Sequence, residues 1–222
     1  MSKNLSLRDY FSTYKYLSLR RRYGRWSAEI RPDAVIYPYS SKQWPNYIKR
    51  WPLFACPGDW DLVQHRNEPF RLQQFKELFV DQLPYQESAS YAGMLSDLKQ
   101  FGVTHAPKLR SQKEIDAYYA GVYALYESMQ KDGYQRRPVQ DRSCKGQKEI
   151  TIRIGRCGEL MKAGEGTHRL ALARLLGLKS VFAVIDVVHP QWIEKSQKKY
   201  GGTVSYAIQQ ALSALTDTNK DQ

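Results

Sequence analysis

The segment 150–178 constrains the fold of this chain more than any other stretch of its sequence. Its first residues, Ile150–Ile154, alternate apolar and polar side chains with the period of two that is typical of a half-buried strand. Glycines in residues 155–158 predict a turn, and residues 159–163 predict a second strand beside the first. The sequence therefore predicts two neighbouring strands immediately before a glycine-rich stretch.

A helix is predicted directly after these strands. Gly164 and Gly166 allow backbone angles that other residues avoid, and Thr167 is a good N-cap for a helix. The apolar face of this helix consists of Leu170, Ala173 and Leu176. Gly177 gives the expected end of the helix. Two strands, a glycine turn and a helix thus follow one another without a gap.

The predicted start of this helix has the chemistry of an anion site. The first N–H groups of a helix lack carbonyl partners and lie at the positive end of the helix dipole. Arg169 adds a guanidinium that can bind phosphate through two donors, and His168 adds a titratable imidazole. The alternative interpretation is a tight strand-to-helix turn without a ligand, in which His168 bonds nearby backbone. Both interpretations stay open at the level of sequence.

The order of motifs from about residue 111 to residue 192 resembles the ParB/sulfiredoxin superfamily. Residues 125–140 resemble the family's first box, a helix that ends in glycine before a short proline-containing strand. Residues 164–169 resemble its glycine-rich turn, and residues 181–188 resemble its closing strand. The resemblance implies an α+β fold, a small mixed sheet with helices, onto which an aromatic- and proline-rich N-terminal extension packs.

The motifs of this family also limit what the resemblance implies about chemistry. Sulfiredoxin has its catalytic cysteine at the position of Thr167, so sulfinic acid repair is not expected. ParB has Gly-Glu-Arg-Arg in this turn, whereas this chain has Gly166, Thr167, His168 and Arg169. The chain therefore shares with the family, which includes small-molecule kinases, the part that binds phosphate.

The resemblance implies a nucleotide-binding protein that acts as a phosphotransferase or nucleotide hydrolase, in other words a kinase or an NTPase. The implied cofactors are a nucleotide, which is ATP, ADP or CTP, and Mg²⁺, and the implied partner is a small-molecule phosphate acceptor. His168 is an implied catalytic residue, because it lies where charge develops on the phosphates. The implied nucleotide-binding residues are Gly164, Glu165, Gly166, Thr167, His168 and Arg169.

A second group of candidate residues surrounds Trp60. Phosphoryl transfer needs a metal-bound phosphate and a base near the acceptor hydroxyl. Asp59 and Asp61 are therefore candidate catalytic residues and candidate Mg²⁺ ligands, and His65 is a possible third member. The alternative interpretation is that Asp61 caps a helix together with Gln64 and that Asp59 stabilises the turn.

The N-terminal residues carry a large share of the positive charge. Residues 1–25 contain seven basic residues against one acidic residue, which is half of the chain's net charge of +12. Aromatic residues alternate with the basic ones, and Ser6 with Asp9 resembles a capping box, so residues 5–24 predict a basic amphipathic helix. Such a helix can bind DNA, an anionic membrane surface or another protein through residues 3–25. The alternative is a solvated helix whose aromatic side chains pack on the rest of the protein.

DNA binding by this segment, in a ParB-like protein, is the alternative function. ParB proteins have a helix-turn-helix after the glycine-rich domain, whereas only about 30 residues follow Trp192 here and show no convincing pattern of that kind. The enzyme class is therefore favoured over the DNA-binding class.

The remaining patterns predict a chain of four parts. A basic segment spans 1–26, an aromatic- and proline-rich extension spans 27–110, the ParB/sulfiredoxin-like domain spans 111–192, and a C-terminal helix and tail span 193–222. Helices are predicted at about 61–80, 91–100, 111–133 and 205–215. Prolines divide residues 32–57 into short extended pieces and turns, which excludes a long helix there.

Composition and cysteine usage exclude several other classes of protein. Hydrophobic residues make up 42% of the chain, which suffices for a core. No apolar run approaches the roughly 18 residues of a membrane span, and the N-terminus lacks the apolar middle of a secretory signal. The chain has three cysteines, which are Cys56, Cys144 and Cys157. Their odd number and the lack of a CxxC pair argue against a disulfide framework or a zinc site. We therefore expect a cytoplasmic protein with reduced thiols.

Overall fold

The structure is a computed structural model that describes residues 7–21, 24–39, 43–66, 68, 70–136 and 149–217. Several predicted features lie outside these residues: Ser6 of the N-terminal capping box, most of the proline-containing strand before residue 140, Cys144, and the tail at 218–222. Eight α-helices are described: α1 (Leu7–Ser12), α2 (Asn46–Arg50), α3 (Phe70–Phe79), α4 (Ala89–Phe101), α5 (Gln112–Asp132), α6 (Thr167–Leu175), α7 (Pro190–Tyr200) and α8 (Val204–Asp217). Six strands are described: β1 (Ser27–Ile30), β2 (Val35–Pro38), β3 (His65–Arg66), β4 (Ile150–Ile154), β5 (Leu160–Ala163) and β6 (Val181–Val188).

All six strands form one mixed sheet. Their order across the sheet is β1-β6-β4-β5-β2-β3. β4 pairs parallel to β6 and β2 pairs parallel to β5, whereas the β1-β6, β4-β5 and β2-β3 pairs are antiparallel. The two strands predicted before the glycine-rich turn are neighbours, with Ile152 opposite Lys162. A mixed sheet with helices is the α+β class predicted from the sequence.

The chain divides into two compact units. The first, here called the sheet unit, consists of Met1–Glu68, Arg136–Thr167 and Lys179–Gln222, and it contains all six described strands. The second, here called the helical unit, consists of Pro69–Gln135 and His168–Leu178, and it contains α3, α4, α5 and all of α6 except its first residue. Each unit combines separate stretches of chain, so its limits differ from the predicted limits at residues 26, 110 and 192.

β4 lies in the interior of the sheet, between β6 and β5. Every isoleucine of β4 is fully buried, and Arg153, which the period of two places on a solvated face, is only 7% exposed. Arg153 Nε donates to Asp186 Oδ2 on β6 at 2.9 Å, and the guanidinium lies 4.6 Å from the ring centre of Trp44. The expectation of a half-buried strand is therefore wrong at Arg153, because an ion pair with the neighbouring strand satisfies this charge inside the protein.

The helical unit is organised by one long amphipathic helix. α5 is 21 residues long and buries Ile115, Tyr119, Val122 and Met129 along one stripe. Gln74 on α3 donates to Tyr119 Oη at 3.2 Å. The apolar stripe of this helix therefore packs in the core of the helical unit. No helix of the described residues, α5 included, is long and apolar enough to cross a membrane.

Most elements predicted from periodicity are present. The helices predicted at 91–100, 111–133 and 205–215 correspond to α4, α5 and α8, and the closing strand is β6. Ser111 caps α5, because its Oγ accepts from the amide of Glu114 at 3.2 Å. The Glu114 carboxylate accepts from the amide of Arg110 at 2.7 Å, just before the helix begins. Apolar periodicity and capping residues together located these helices.

The helix predicted at 61–80 is wrong in its first half. Residues Trp60–Leu62 form a 3-10 turn, β3 follows, and the α-helix starts only at Phe70. Asp61 caps no helix, because its carboxylate accepts hydrogen bonds from Arg156. A residue distant in the sequence therefore decides the local structure at Asp61.

The N-terminal segment is not one long amphipathic helix. α1 ends at Ser12, and a 3-10 turn follows at Tyr14–Tyr16. Thr13 Oγ1 donates to the Tyr10 carbonyl at 2.8 Å, a local bond that competes with continuation of the helix. Leu19 is fully buried, whereas Tyr10 is 46% exposed. Part of the apolar surface of this segment therefore packs inside the sheet unit, and part faces solvent.

Gly166 lies directly against the backbone of β4. A Cβ at this position would come within 2.5 Å of Ile150 Cα, and the φ of Gly166 is +84°, which L-residues avoid. Gly164, with a φ of +46°, has more room, because its nearest neighbour is Thr151 Cβ at 3.5 Å. Gly166 therefore permits a close contact between the turn and a strand, and Gly164 permits the turn itself.

Gly166→Ala is expected to destabilise the protein by about 2–4 kcal/mol, because the added methyl group meets backbone that cannot move without disturbing β4. Gly164→Ala is the matched control and should cost about 1–2 kcal/mol, which is the conformational part alone. Urea unfolding followed by circular dichroism measures both losses. Equal losses would contradict the close approach to Ile150 as the reason for glycine at position 166.

Candidate functional site

A buried lysine lies beneath the glycine-rich turn. Lys162 on β5 is only 5% exposed. Its Nζ donates to the carbonyls of Ala163, Gly164 and Glu165 at 2.6, 3.1 and 2.6 Å. The Glu165 carbonyl also accepts from the amide of Thr151 on β4 at 3.2 Å. The carbonyls of the turn are therefore held toward the sheet.

This arrangement fixes the direction of the amides in the turn. In a trans peptide the N–H points away from the C=O of the same peptide unit. The units that lead into Gly164 and Gly166 have their carbonyls on Lys162, so their N–H groups face away from it. Within the described residues neither of these amides, nor that of Thr167 at the start of α6, has a hydrogen-bond acceptor. Amides of this kind are the groups with which backbone turns bind anions.

The charge of Lys162 is set by two opposing effects. Burial lowers the pKa of its ammonium to about 7. Three carbonyl acceptors oppose this effect, because only the protonated form has an N–H donor for each of them. Sequence alone did not identify Lys162 as a site residue, because a lysine on a strand of alternating polarity is expected to be exposed to solvent. Its position two residues before the first glycine of the turn is the sequence feature that could have identified it as a candidate.

His168 is engaged within the helical unit. Its Nε2 lies 2.8 Å from Tyr118 Oη, and the rings of Tyr118 and Phe75 lie 5.6 and 5.7 Å from the imidazole. Burial, together with the nearby charge of Arg71, lowers the pKa of His168 to about 4. The imidazole is therefore neutral at pH 7 and offers hydrogen bonds, but no positive charge, to any ligand.

Arg169 is also engaged within the helical unit. The residue is only 6% exposed, and its guanidinium lies 4.0 Å from the ring centre of Tyr134. Its Nη2 donates to the carbonyl of Gln135. These contacts hold the loop that follows α5, so the phosphate contact implied by the resemblance has no counterpart among them.

The pKa of His168 should make folding sensitive to acid. The unfolded chain takes up a proton near the ordinary pKa of 6.5, whereas the folded protein takes it up only near 4. The free energy of unfolding should therefore fall as the pH drops from about 6.5 to about 4, by about 3 kcal/mol at most. Urea unfolding at pH 7 and pH 4 measures this loss.

His168→Gln is the matched variant for this experiment. Glutamine keeps a neutral hydrogen-bonding side chain and cannot titrate. The wild-type protein should lose more stability than the variant between pH 7 and pH 4. Equal losses in the two proteins would contradict a neutral, half-buried imidazole in the folded state.

Arg156 joins the two aspartates that flank Trp60. Asp61 Oδ2 accepts from the backbone amide and from Nε of Arg156 at 2.7 and 2.8 Å, and Asp61 Oδ1 accepts from Nη2 at 2.7 Å. Nη2 also donates to Asp59 Oδ1 at 2.8 Å and to the Gly58 carbonyl at 3.1 Å. The side chain of Asp61 is 2% exposed and that of Asp59 is 56% exposed. Asp61 is therefore the buried partner of Arg156, and Asp59 lies at the rim.

Electrostatics agree with this geometry. Burial by itself would raise the pKa of Asp61, but the hydrogen bonds from Arg156 outweigh it and hold the pKa below its ordinary value. His189 contacts the same turn, since its Nε2 lies 3.1 Å from the Gly58 carbonyl. Its Nδ1 accepts from the amide of Gln191 at 3.2 Å and so caps α7. The turn around Trp60 is thereby fixed to the residues that follow β4 and β6.

The sequence predicted Asp59 and Asp61 as catalytic residues and Mg²⁺ ligands. In the structure the carboxylate of Asp61 accepts three hydrogen bonds from Arg156, and His65, the possible third member, lies exposed on β3 opposite Pro38. Among the residues that the structure describes, no group of three or more His, Cys, Asp or Glu side chains could hold a metal ion. The contacts of this cluster are those of a structural anchor.

Arg156→Met is expected to destabilise the protein by about 3–5 kcal/mol, because it leaves the Asp61 carboxylate buried without a counter-ion. Asp59→Asn is the control, and it should cost less than about 1 kcal/mol because the Asp59 side chain is largely solvated. Urea unfolding at pH 7 measures both values.

A rise in the stability of the wild-type protein on addition of millimolar Mg²⁺ would instead support the metal hypothesis, since binding to the folded state stabilises it.

Comparison with known proteins adds no family to these observations. No family model matches the sequence, no curated protein matches it, and no solved structure matches the fold. The likeness to the ParB/sulfiredoxin superfamily therefore rests on the motifs between residues 125 and 188.

Proposed function

We propose that this protein binds the phosphates of a nucleotide at residues 164–167 and catalyses phosphoryl transfer or nucleotide hydrolysis, as a member of the ParB/sulfiredoxin superfamily. The observation that carries the proposal is the orientation of the turn over Lys162. Its carbonyls face the ammonium, and the amides of Gly164, Gly166 and Thr167 lack acceptors in the described part of the chain. Amides arranged in this way at a helix start are suited to phosphate oxygens.

Charge and exposure support a multiply charged anion as the ligand. The ammonium of Lys162 and the positive end of the α6 dipole act on the same turn. Gly164 and Glu165 are exposed, so a ligand can reach the backbone there. The net charge of +12 also attracts anions over longer distances. A nucleoside diphosphate or triphosphate matches these properties better than a neutral ligand does.

The order of elements supports the superfamily. β4, β5, the glycine-rich turn, α6 and β6 follow one another as the resemblance implies. β6 returns to the sheet beside β4 and parallel to it. The order of elements supports only the topology of the superfamily. The proposed function depends on the geometry of the turn at residues 164–167.

The proposal assigns phosphate binding to backbone groups. Arg169, Asp59 and Asp61 are bound to other protein groups, so no phosphate or metal contact is assigned to them. Mg²⁺ would then arrive with the nucleotide and be held by its phosphates. In phosphoryl transfer, positioning and electrostatic stabilisation supply most of the catalysis, and oriented amides above Lys162 fit that requirement. The acceptor is a small molecule or water.

DNA binding of the ParB type receives less support. After β6 the chain forms α7 and α8, which are joined by three residues. A pair of helices with so short a connection has the outline of a helix-turn-helix. α8, however, contains no lysine or arginine, so it cannot neutralise the phosphates of a duplex.

Isothermal titration with ATP, ADP and CTP, each with and without Mg²⁺, tests nucleotide binding. Thr167→Asp places a negative charge at the first position of α6, where it favours the helix but repels phosphate. Thr167→Asn has nearly the same shape and no charge. We expect Thr167→Asp to weaken binding at least about 10-fold and Thr167→Asn to stay within about 3-fold of the wild-type protein.

Two results would overturn the proposal. One is the absence of binding to all three nucleotides by the wild-type protein, and the other is equal binding by both variants. Urea unfolding of the two variants should agree within about 0.5 kcal/mol, which separates loss of the site from loss of the fold. Phosphate release from the bound triphosphate, measured with and without added acceptors, then distinguishes hydrolysis from transfer.

A further inference from the structure

A surface cavity of about 500 Å³ lies in the sheet unit, between α1 and α2. Its volume falls within the range of small-ligand sites, and it is large enough for one nucleotide. The glycine-rich turn does not line it. The residues that line this cavity, here called the α1-α2 cavity, are Tyr10, Asn46, Tyr47, Lys49, Arg50, Trp51 and Pro52.

The α1-α2 cavity is positively charged. Lys49 and Arg50 occupy the last turn of α2, and both are exposed. Lys49 Nζ lies 3.5 Å from Asn46 Oδ1, and Arg50 has no ion-pair partner among the described residues. None of the described residues that line the cavity is acidic. Two exposed cations without acidic neighbours in the lining favour an anionic occupant.

The cavity is also aromatic and continues into an exposed aromatic surface. Tyr10, 46% exposed, lies 4.9 Å from Trp51 at the cavity, and Phe11 stacks on Tyr14 at 5.6 Å. Phe11 is 67% exposed and Tyr14 is 58% exposed. Five of the ten exposed large apolar side chains in the described chain lie in residues 7–17. Apolar exposure concentrated in this way marks a binding surface.

We propose that the α1-α2 cavity and the aromatic residues of α1 beside it bind single-stranded nucleic acid. An unpaired base can stack on Tyr10 or on the pair formed by Phe11 and Tyr14, and Lys49 and Arg50 can contact the backbone phosphates. A duplex keeps its bases inside the helix and cannot use the stacking surfaces. A membrane surface is a weaker candidate, because it would leave a polar cavity of nucleotide size without an occupant. Single-stranded nucleic acid uses every feature of the surface.

Fluorescence polarisation of labelled 15-residue oligothymidine and oligouridine tests this proposal. The variant Lys49→Ala/Arg50→Ala removes both cations of the cavity. The matched control is Lys198→Ala/Lys199→Ala, which removes two exposed lysines from the last turn of α7. We expect the first variant to weaken binding at least about 10-fold and to lower the slope of log affinity against log salt by about 1.4, whereas the control should change neither.

Tyr10→Ala tests stacking separately from charge. It should weaken binding about 10-fold and leave the salt slope unchanged, because it removes no phosphate contact. Comparison of oligothymidine with oligouridine shows whether the strand is DNA or RNA. Thr167→Asp should not change oligonucleotide binding, so failure of this proposal and failure of the nucleotide proposal are separate results.

Three results would overturn the proposal. The first is equal binding by the cavity variant and the α7 control. The second is a duplex of the same length that binds as tightly as the single strand. The third is sedimentation with vesicles of anionic phospholipid that is lost in Lys49→Ala/Arg50→Ala, together with no binding of either oligonucleotide, because this result identifies a membrane surface as the occupant.

Discussion

The hydrogen bonds from Lys162 to three successive carbonyls determine the shape of the glycine-rich turn. An ammonium that is 5% exposed can remain inside the protein only when its donors find acceptors. The backbone of residues 163–165 supplies them by folding around Nζ. The same bonds direct amides of the turn away from the sheet. Burial of one charge and the orientation of the amides that we propose bind phosphate therefore have a single cause.

Acidic side chains in the sheet unit serve mainly to neutralise arginines. Asp186 binds Arg153 and Asp61 binds Arg156, so the C-terminal end of β4 and the turn after it are tied to two other segments of the chain. In a chain with 34 basic and 22 acidic residues, this use of buried carboxylates leaves the excess of positive charge at the surface. Both proposals therefore assign phosphate recognition to backbone amides and basic groups, and neither assigns a part in it to carboxylates.

The two proposed binding surfaces would bind anions through different interactions. The turn at 164–167 offers backbone dipoles in a fixed direction, which suits the compact charge of a phosphate chain. The α1-α2 cavity offers side-chain cations and aromatic rings at an exposed surface, which suits a strand with separate phosphates and bases. Both attract anions, but a charge introduced at Thr167 acts on the first and the removal of Lys49 and Arg50 acts on the second. The two proposed functions can therefore be tested separately by mutation.

The sequence by itself determined the local elements of this protein. α4, α5, α8 and β6 are where periodicity and capping residues predict them, because these signals depend on residues a few positions apart. The tertiary structure decided the chemistry of the candidate residues. His168 is neutral at pH 7 because packing buries it and brings the charge of Arg71 near, and its hydrogen-bond partner Tyr118 lies 50 residues away. Asp61 binds Arg156, 95 residues away. Lys162 is an ordinary strand lysine in the sequence, and its acceptors are the next three carbonyls of the chain. Its burial arises only in the tertiary structure, where β5 lies between β4 and β2, and this burial makes it the centre of the proposed site.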